Sequence, residues 1–100
     1  MFEFIDTDAV SCYLKSEEKV IFIFESPWSE KCEQFIYRIL TIPEDNLVIP
    51  IYRVELDADG GDYLRKRFRI KEEPTAILFI DGAEDKRTTR EETLYTLLID

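Results

Sequence analysis

A strand that runs directly into a helix constrains the fold of this chain more than any other feature of its sequence. Segment 19–24 is an almost continuous apolar run, which predicts a strand that is covered on both faces of a sheet. Apolar residues then recur at helical spacing and predict a helix over 29–40. The junction carries Trp28, Ser29 and Cys32. Because a helix N-terminus stabilises a thiolate, this junction is where the chain could activate a thiol.

Length and charge limit the domain organisation and the partners. The chain has 100 residues, of which 45% are hydrophobic, so we expect one domain over 1–100 with its own core. A formal net charge of -9 argues against nucleic acid and anionic membrane as partners, because both select positively charged proteins. No apolar run reaches membrane-spanning length, and residues 1–6 lack the features of a signal peptide. The expected location is therefore cytoplasmic.

The residue types exclude several kinds of site. The absence of histidine rules out His-based triads and His-ligated zinc. Cys12 and Cys32 cannot form a structural zinc site by themselves, and we expect neither a metal nor another cofactor. Segment 57–62 contains two glycines but lacks the Lys-Ser/Thr of a phosphate-binding loop and the full spacing of an EF-hand. We interpret it as a turn whose carboxylates cap a helix.

Periodicity along the chain predicts the element order β-α-β-α-β-α-β-β-α. Strands are expected at 2–5, 19–24, 47–57, 75–80 and 84–88, and pairing of the third strand is expected only after Pro50. Helices are expected at 6–16, where residues 6–8 supply caps, at 29–40, at 62–68 and from 89 onward. The third helix should turn Tyr63, Leu64 and Phe68 inward, and the last helix Leu94, Leu97 and Leu98. Helical connections predict that the first four strands are mostly parallel, and Asp81-Gly82 predicts an antiparallel hairpin strand. The fold class is therefore α/β, a mixed five-stranded sheet with a parallel core and four helices on its two faces.

Two motifs in this order of elements resemble the thioredoxin family. Segment 27–32, after the buried strand, resembles the family's Trp-Cys-Gly-Pro-Cys motif, and Glu73-Pro74-Thr75, before the fourth strand, resembles its cis-proline motif Ile-Pro-Thr. The resemblance covers nearly the whole chain. It implies the thioredoxin fold and a cis peptide bond between Glu73 and Pro74.

The resemblance also implies roles for single positions. Trp28 matches the family's tryptophan, Cys32 its second, resolving cysteine, and Pro74 its cis-proline. The first, nucleophilic cysteine of the family falls on Ser29. A serine hydroxyl is a poor nucleophile without a general base, so Ser29 is expected to serve as a helix N-cap.

Further departures from the family pattern concern proton transfer and the substrate groove. The buried aspartate of the family falls on Ile23, the lysine near it on Glu55, and a glycine that flanks the groove falls near Arg90. Cys32 heads the apolar stripe of its helix, so burial should limit its access and raise its pKa. We interpret Cys32 as a small core residue, with a working monothiol as the alternative. A bond to Cys12 would be blocked by the sheet, because the first two helices are expected on opposite faces.

Three functional hypotheses remain open at this stage. The first is a redox-degenerate thioredoxin-like protein whose groove, formed by Trp28, Glu73, Pro74 and Thr75, binds an extended partner segment by strand addition. The second is a thiol–disulfide oxidoreductase, either monothiol through Cys32 or with Ser29 standing in place of a native nucleophilic cysteine. The third is a structural subunit that docks through the basic helix 62–69.

Two expectations concern partners. The glutamates at positions 30, 72 and 73 would make the rim of the groove acidic and suit a basic segment. The charged side chains of the predicted edge strand 84–87 disfavour pairing with a strand of another chain, which favours a monomer.

Overall fold

A five-stranded sheet organises the structure, a computed structural model that describes residues 3–26, 28–42, 48–90 and 93–94. The elements are β1 (Glu3–Ile5), a 3-10 turn (Thr7–Ala9), α1 (Val10–Ser16), β2 (Lys19–Glu25), α2 (Glu30–Ile39), β3 (Ile51–Glu55), α3 (Gly61–Phe68), β4 (Thr75–Ile80) and β5 (Ala83–Thr88). The strand order in the sheet is β1-β3-β2-β4-β5. None of the helices in the described residues has the length and apolar content needed to span a bilayer.

The helix count differs from the prediction. Three α-helices lie within the described residues, whereas the sequence predicts four. Of the segment predicted as the fourth helix, residues 89, 90, 93 and 94 fall in the described part. Thr89 and Arg90 are not helical, whereas Thr93 and Leu94 are, and the Leu94 amide donates to the Arg90 carbonyl at 3.2 Å. Leu94 is fully buried, as predicted. Leu97 and Leu98 lie outside the described residues.

The fourth strand runs opposite to the predicted direction. β1, β3 and β2 are parallel, but β4 pairs antiparallel with β2, with Phe24 opposite Thr75. The prediction of a parallel β4 is therefore wrong. β3 ends where Glu25 faces Glu55, and β4 begins at that same edge of the sheet. The connection 56–74, whose eight-residue helix is only about 12 Å long, returns the chain to the edge it left instead of crossing the sheet.

Two apolar cores lie on the two faces of the sheet. α1 and α3 pack on one face and α2 packs on the other, which confirms the predicted placement of the first two helices. The side chains of β2 alternate between the cores: Val20, Phe22 and Phe24 on the first face, Ile21 and Ile23 on the second. Each such burial contributes roughly 1.5–3 kcal/mol. The sheet separates the two free cysteines, exposed Cys12 and buried Cys32.

The third helix presents one fewer aromatic side chain to the core than expected. Leu64 and Phe68 are buried, as predicted, but Tyr63 is 64% exposed, so its predicted inward orientation is wrong. Neighbouring helical residues point about 100° apart, and a helix on a sheet can therefore bury only one of Tyr63 and Leu64 deeply.

Acidic residues do not cap the helices at the predicted positions. Asp6 precedes the 3-10 turn and makes no side-chain capping bond. The N-cap of α3 is Gly60, with a φ of 89°, where glycine is favoured because it lacks a Cβ. Asp57 instead accepts bonds from Ser26 and Arg65. The Asp57 carboxylate therefore joins the end of β2 to α3 rather than capping a helix.

Two turn predictions are confirmed. β3 begins at Ile51, immediately after Pro50, which has no N–H for a ladder. Asp81 and Gly82 have φ values of 52° and 83°, the backbone of a type I′ hairpin, and they join antiparallel β4 and β5.

Candidate functional site

Ser29 occupies the start of α2 as its N-cap. Its Oγ accepts a hydrogen bond from the Cys32 amide at 3.4 Å, and its backbone is extended. This is the role that the sequence predicts for a serine at this position. The hydroxyl satisfies one of the free amides of the first helical turn. The chain contains no imidazole that could deprotonate it.

Cys32 lies beneath the helix start, away from solvent. Its residue is 1% exposed, and its Sγ accepts a hydrogen bond from the Ser26 amide at 3.4 Å. Burial raises the pKa of the Cys32 thiol; hydrogen bonds to Ser26 and Ser29 lower it in part, and the carboxylates of Glu25 and Glu73 raise it further. The thiol is therefore protonated at neutral pH and closed to a bulky disulfide.

Trp28 projects from the loop that joins β2 to α2. It is 88% exposed, the most exposed large apolar side chain among the described residues. An indole this exposed does not pack closely against its own loop. A large amphipathic side chain in this position is suited to contact with another molecule.

A buried ion pair lies next to Cys32 on the α2 face of the sheet. Glu25 is 2% exposed, and its two oxygens accept from Arg53 at 2.7 Å and 3.0 Å. The Arg53 guanidinium also lies 3.9 Å from the centroid of the Phe4 ring, a cation–π contact. Both oxygens of the Glu25 carboxylate, which lies beside Cys32, are thus bound by the Arg53 guanidinium in a bidentate pair.

The strand register corrects one position of the family resemblance. The resemblance placed the lysine near the family's buried aspartate at Glu55. In the structure Arg53, not Glu55, lies opposite Ile23, the position of that aspartate. A cation is therefore present beside Ile23, and its carboxylate partner is Glu25, two residues along the same strand face. Sequence reasoning missed Glu25 because a charged residue at the end of an apolar run normally indicates a strand terminus that is exposed to solvent.

The cis-proline segment forms the second side of the site. The Glu73–Pro74 bond is cis, as the resemblance implied, and Pro74 and Thr75 are buried. The Thr75 hydroxyl donates to the Glu72 carbonyl. β5 pairs with β4 only from Ala76 onward, so Thr75 lies beyond the end of the β4–β5 ladder. The backbone edge at Thr75 on the β5 side is therefore not taken up by β5.

A groove of about 300 Å³ runs between α2 and the cis-proline segment. Its walls include Lys31, Arg38 and Arg90 as well as Glu72 and Glu73. The walls therefore carry both signs of charge, which revises the expectation of a uniformly acidic rim. Arg90, near the position of the family's groove glycine, forms part of one wall. Trp28 and Thr75 do not line this groove.

A hydrogen-bonded bridge joins the two sides of the site. The Ser26 hydroxyl donates to Asp57, and Arg65 donates to Asp57 at 3.2 Å and to Glu73 at 2.7 Å. The Ser26 hydroxyl and then the Arg65 guanidinium lower the pKa of the Asp57 carboxyl. Sequence reasoning did not single out Arg65, since nothing in the local pattern sets it apart from Lys66 and its other basic neighbours.

No metal site accompanies these groups. Across the described ranges, no three His, Cys, Asp or Glu side chains come close enough together to hold a metal ion.

The architecture and the two loops that meet at the site define the thioredoxin fold. No protein-family model matches the sequence, and no curated protein matches it. Solved structures match over nearly the whole chain. Thioredoxin f2 of Chlamydomonas reinhardtii superimposes with a TM-score of 0.82 at 18% identity, over 97% of this chain and 92% of that one.

Two further solved structures agree. Mitochondrial thioredoxin 3 of Saccharomyces cerevisiae gives a TM-score of 0.80 at 13% identity, over 98% of this chain and 92% of that one. Trxlp of Edwardsiella tarda gives 0.71 at 20% identity and covers 100% of both chains. The chain is therefore thioredoxin-like in its fold, and the resemblance drawn from its two motifs is confirmed at that level.

Proposed function

We propose that this chain is a thioredoxin-like binding protein with little or no dithiol reductase activity. The observation that carries the proposal is the state of the thiol. Disulfide reduction by a dithiol needs an accessible thiolate for the first attack and a second thiol to resolve the mixed disulfide. Here Ser29 stands at the first position as a helix cap, and Cys32 is 1% exposed with its pKa raised by burial. Neither group is suited to the first attack.

The binding role rests on the surface that remains. Trp28 offers an exposed aromatic side chain beside the helix start. At the cis-proline segment, the backbone of exposed Glu72 and partly exposed Glu73 lies before the β4–β5 ladder and can pair with an added strand. The mixed charges of the groove favour a partner segment that carries residues of both signs. The partner we propose is thus an extended protein segment that lies over Glu73, Pro74 and Thr75 and reaches Trp28.

We also propose a setting for this activity, a cytoplasmic monomer that uses neither nucleic acid nor membrane as partner. The net charge of -9 supports the exclusion of nucleic acid and anionic membrane, and the charged, exposed outer strand β5 supports the monomer.

A selection from a displayed library of random linear peptides tests the binding role. The unmodified chain should enrich peptides, and Trp28→Ala should weaken the enriched peptide by about tenfold or more, as for an aromatic hot spot. Tyr37→Ala is the matched control, because Tyr37 is a similarly exposed aromatic residue on α2 and should leave affinity unchanged. Absence of any enriched peptide, or equal effects of the two variants, would contradict the groove.

A thiol–disulfide oxidoreductase is the second candidate, favoured by one observation. Cys32 sits in the first turn of α2, and hydrogen bonds to Ser26 and Ser29 act to lower its pKa against the effect of burial. Turnover of a protein disulfide by the unmodified chain, lost in Cys32→Ala, would establish a monothiol enzyme and overturn the binding-only proposal. Full activity restored by Ser29→Cys alone would indicate a scaffold that needs only the missing nucleophile.

A further inference from the structure

The Arg65 side chain donates hydrogen bonds to four different residues. Its guanidinium donates to the Asp57 and Glu73 carboxylates, to the Asp62 carboxylate at 3.1 Å and to the Leu56 carbonyl at 3.3 Å. The three carboxylates belong to the turn after β3, the first turn of α3 and the segment before β4. One side chain therefore joins its own helix to the segments on either side of it.

The contacts continue from Arg65 to the thiol. Asp57 accepts from the Ser26 hydroxyl with its other oxygen, and the Ser26 amide donates to Cys32 Sγ at 3.4 Å. On the opposite side, Glu73 is joined by its peptide bond to cis Pro74. A continuous series of hydrogen bonds thus connects the sulfur to the cis-proline segment through Arg65.

We propose that Arg65 is the positioning residue of the site, holding the cis-proline segment in a fixed place relative to the loop that covers Cys32. The inference rests on the proposed function in that the segment so held is the proposed docking edge. A planar guanidinium can donate to two carboxylates and a carbonyl at once, which a lysine ammonium on a flexible stem does not do with the same geometry. Holding the edge in place before binding reduces the ordering that a partner must bring about.

The same bridge keeps the sulfur covered. Ser26 is buried, with its amide on the sulfur and its hydroxyl on Asp57. If the bridge opens, the loop between β2 and α2 loses its tie to β3 and α3, and local opening should expose Cys32. Alkylation of Cys32 therefore reports on Arg65 without any ligand.

The test compares Arg65→Gln, Arg65→Lys and Glu73→Gln with Lys66→Gln, a charge-removing control on the exposed face of the same helix. Cys32 alkylation by iodoacetamide should accelerate by about fivefold or more in Arg65→Gln, the size expected for a charged network partly screened by solvent. Arg65→Lys and Glu73→Gln should give smaller increases, and Lys66→Gln none. Amide hydrogen exchange at Ser26 and Thr75 should accelerate in the same order.

Dependence on urea separates positioning from general loss of stability. At low urea, alkylation through local opening should be nearly independent of denaturant, whereas alkylation through global unfolding rises steeply with it. Adding Asp57→Asn to Arg65→Gln should produce little further acceleration, because both variants break one bridge. An additive double variant, a steep urea dependence at low urea, or unchanged exchange at Thr75 in Arg65→Gln would overturn the inference.

Peptide binding completes the test. A peptide enriched on the unmodified chain should lose affinity in Arg65→Gln but not in Lys66→Gln, and equal affinity for both variants would overturn the positioning role. Failure of the unmodified chain to bind any library peptide would instead overturn the proposed function, while the alkylation and exchange measurements, which need no ligand, would still decide whether Arg65 holds the two loops together.

Discussion

Replacing Arg53 with methionine should remove a large part of the folding free energy, because it leaves a buried carboxylate without its partner. Glu25 is 2% exposed, and its oxygens accept from Arg53 at 2.7 Å and 3.0 Å. Methionine keeps much of the aliphatic stem but supplies no donor. Breaking a buried ion pair from one side destabilises a protein by about 3 to 5 kcal/mol. Since Arg53 is 20% exposed and water can approach its end of the pair, we expect about 3 kcal/mol.

Urea unfolding followed by far-UV circular dichroism measures this change. A thermal scan should show a Tm lower by about 12 to 24 °C, since each kcal/mol shifts a domain of this size by about 4 to 8 °C. The matched control is Glu84→Gln, which breaks a bidentate pair with Arg87 in which both side chains are about one-third exposed. That loss should not exceed about 1 kcal/mol.

A double variant separates the loss of the pair from the burial of a single charge. Glu25→Leu combined with Arg53→Met replaces both ions by apolar groups, which is often neutral, so it should regain most of the stability that Arg53→Met loses. The reasoning is refuted if Arg53→Met loses no more than Glu84→Gln. It is also refuted if the double variant is as unstable as Arg53→Met alone.

Three further predictions follow from local geometry. Because the pKa of the Cys32 thiol is raised in the folded chain, the unfolded thiol loses its proton first as pH rises. The free energy of unfolding should therefore fall as pH rises above the pKa of an ordinary thiol. Urea unfolding measured across this pH range should show a smaller decline for Cys32→Ala. Ser29→Ala should destabilise by about 0.5 kcal/mol, the low end for a lost N-cap, because its capping bond is long, and a loss above about 2 kcal/mol would point to another role. Gly61→Ala should destabilise by about 3 kcal/mol or more, since its Cβ would lie 1.7 Å from the Leu56 carbonyl oxygen. Gly82→Ala, where only the positive φ is unfavourable, should lose about 1 kcal/mol by the same unfolding assay, and equal losses at the two glycines would contradict the overlap.

Sequence reasoning predicted the elements well where local periodicity governs them. The apolar run of β2, the stripe of α2 and the Asp81-Gly82 hairpin each have a signal within a few residues, and each is present in the structure. The start of β3 after Pro50 also follows from a property of one residue. These features agree because backbone preference and side-chain periodicity act over one or two turns.

Errors arose where more than one element was involved. The inward orientation predicted for Tyr63 is wrong because the sequence of a helix alone does not show which of its sides the sheet covers. The predicted burial of Cys32 is confirmed, because the apolar stripe of α2 already shows which of its residues face inward. For the lysine position, counting along the chain led to Glu55, and only the strand register identified Arg53.

The sequence by itself determined the chemistry available at the site and the order of its elements. It contains no histidine, it places Ser29 rather than a thiol at the first position of the motif, and it places Pro74 before the fourth strand. The tertiary structure alone decided the direction of β4, the burial of the Glu25–Arg53 pair and the bridge through Arg65. The physical reason is distance along the chain: residue identity and periodicity are local, whereas an ion pair or a strand pairing depends on which distant segments the fold brings together.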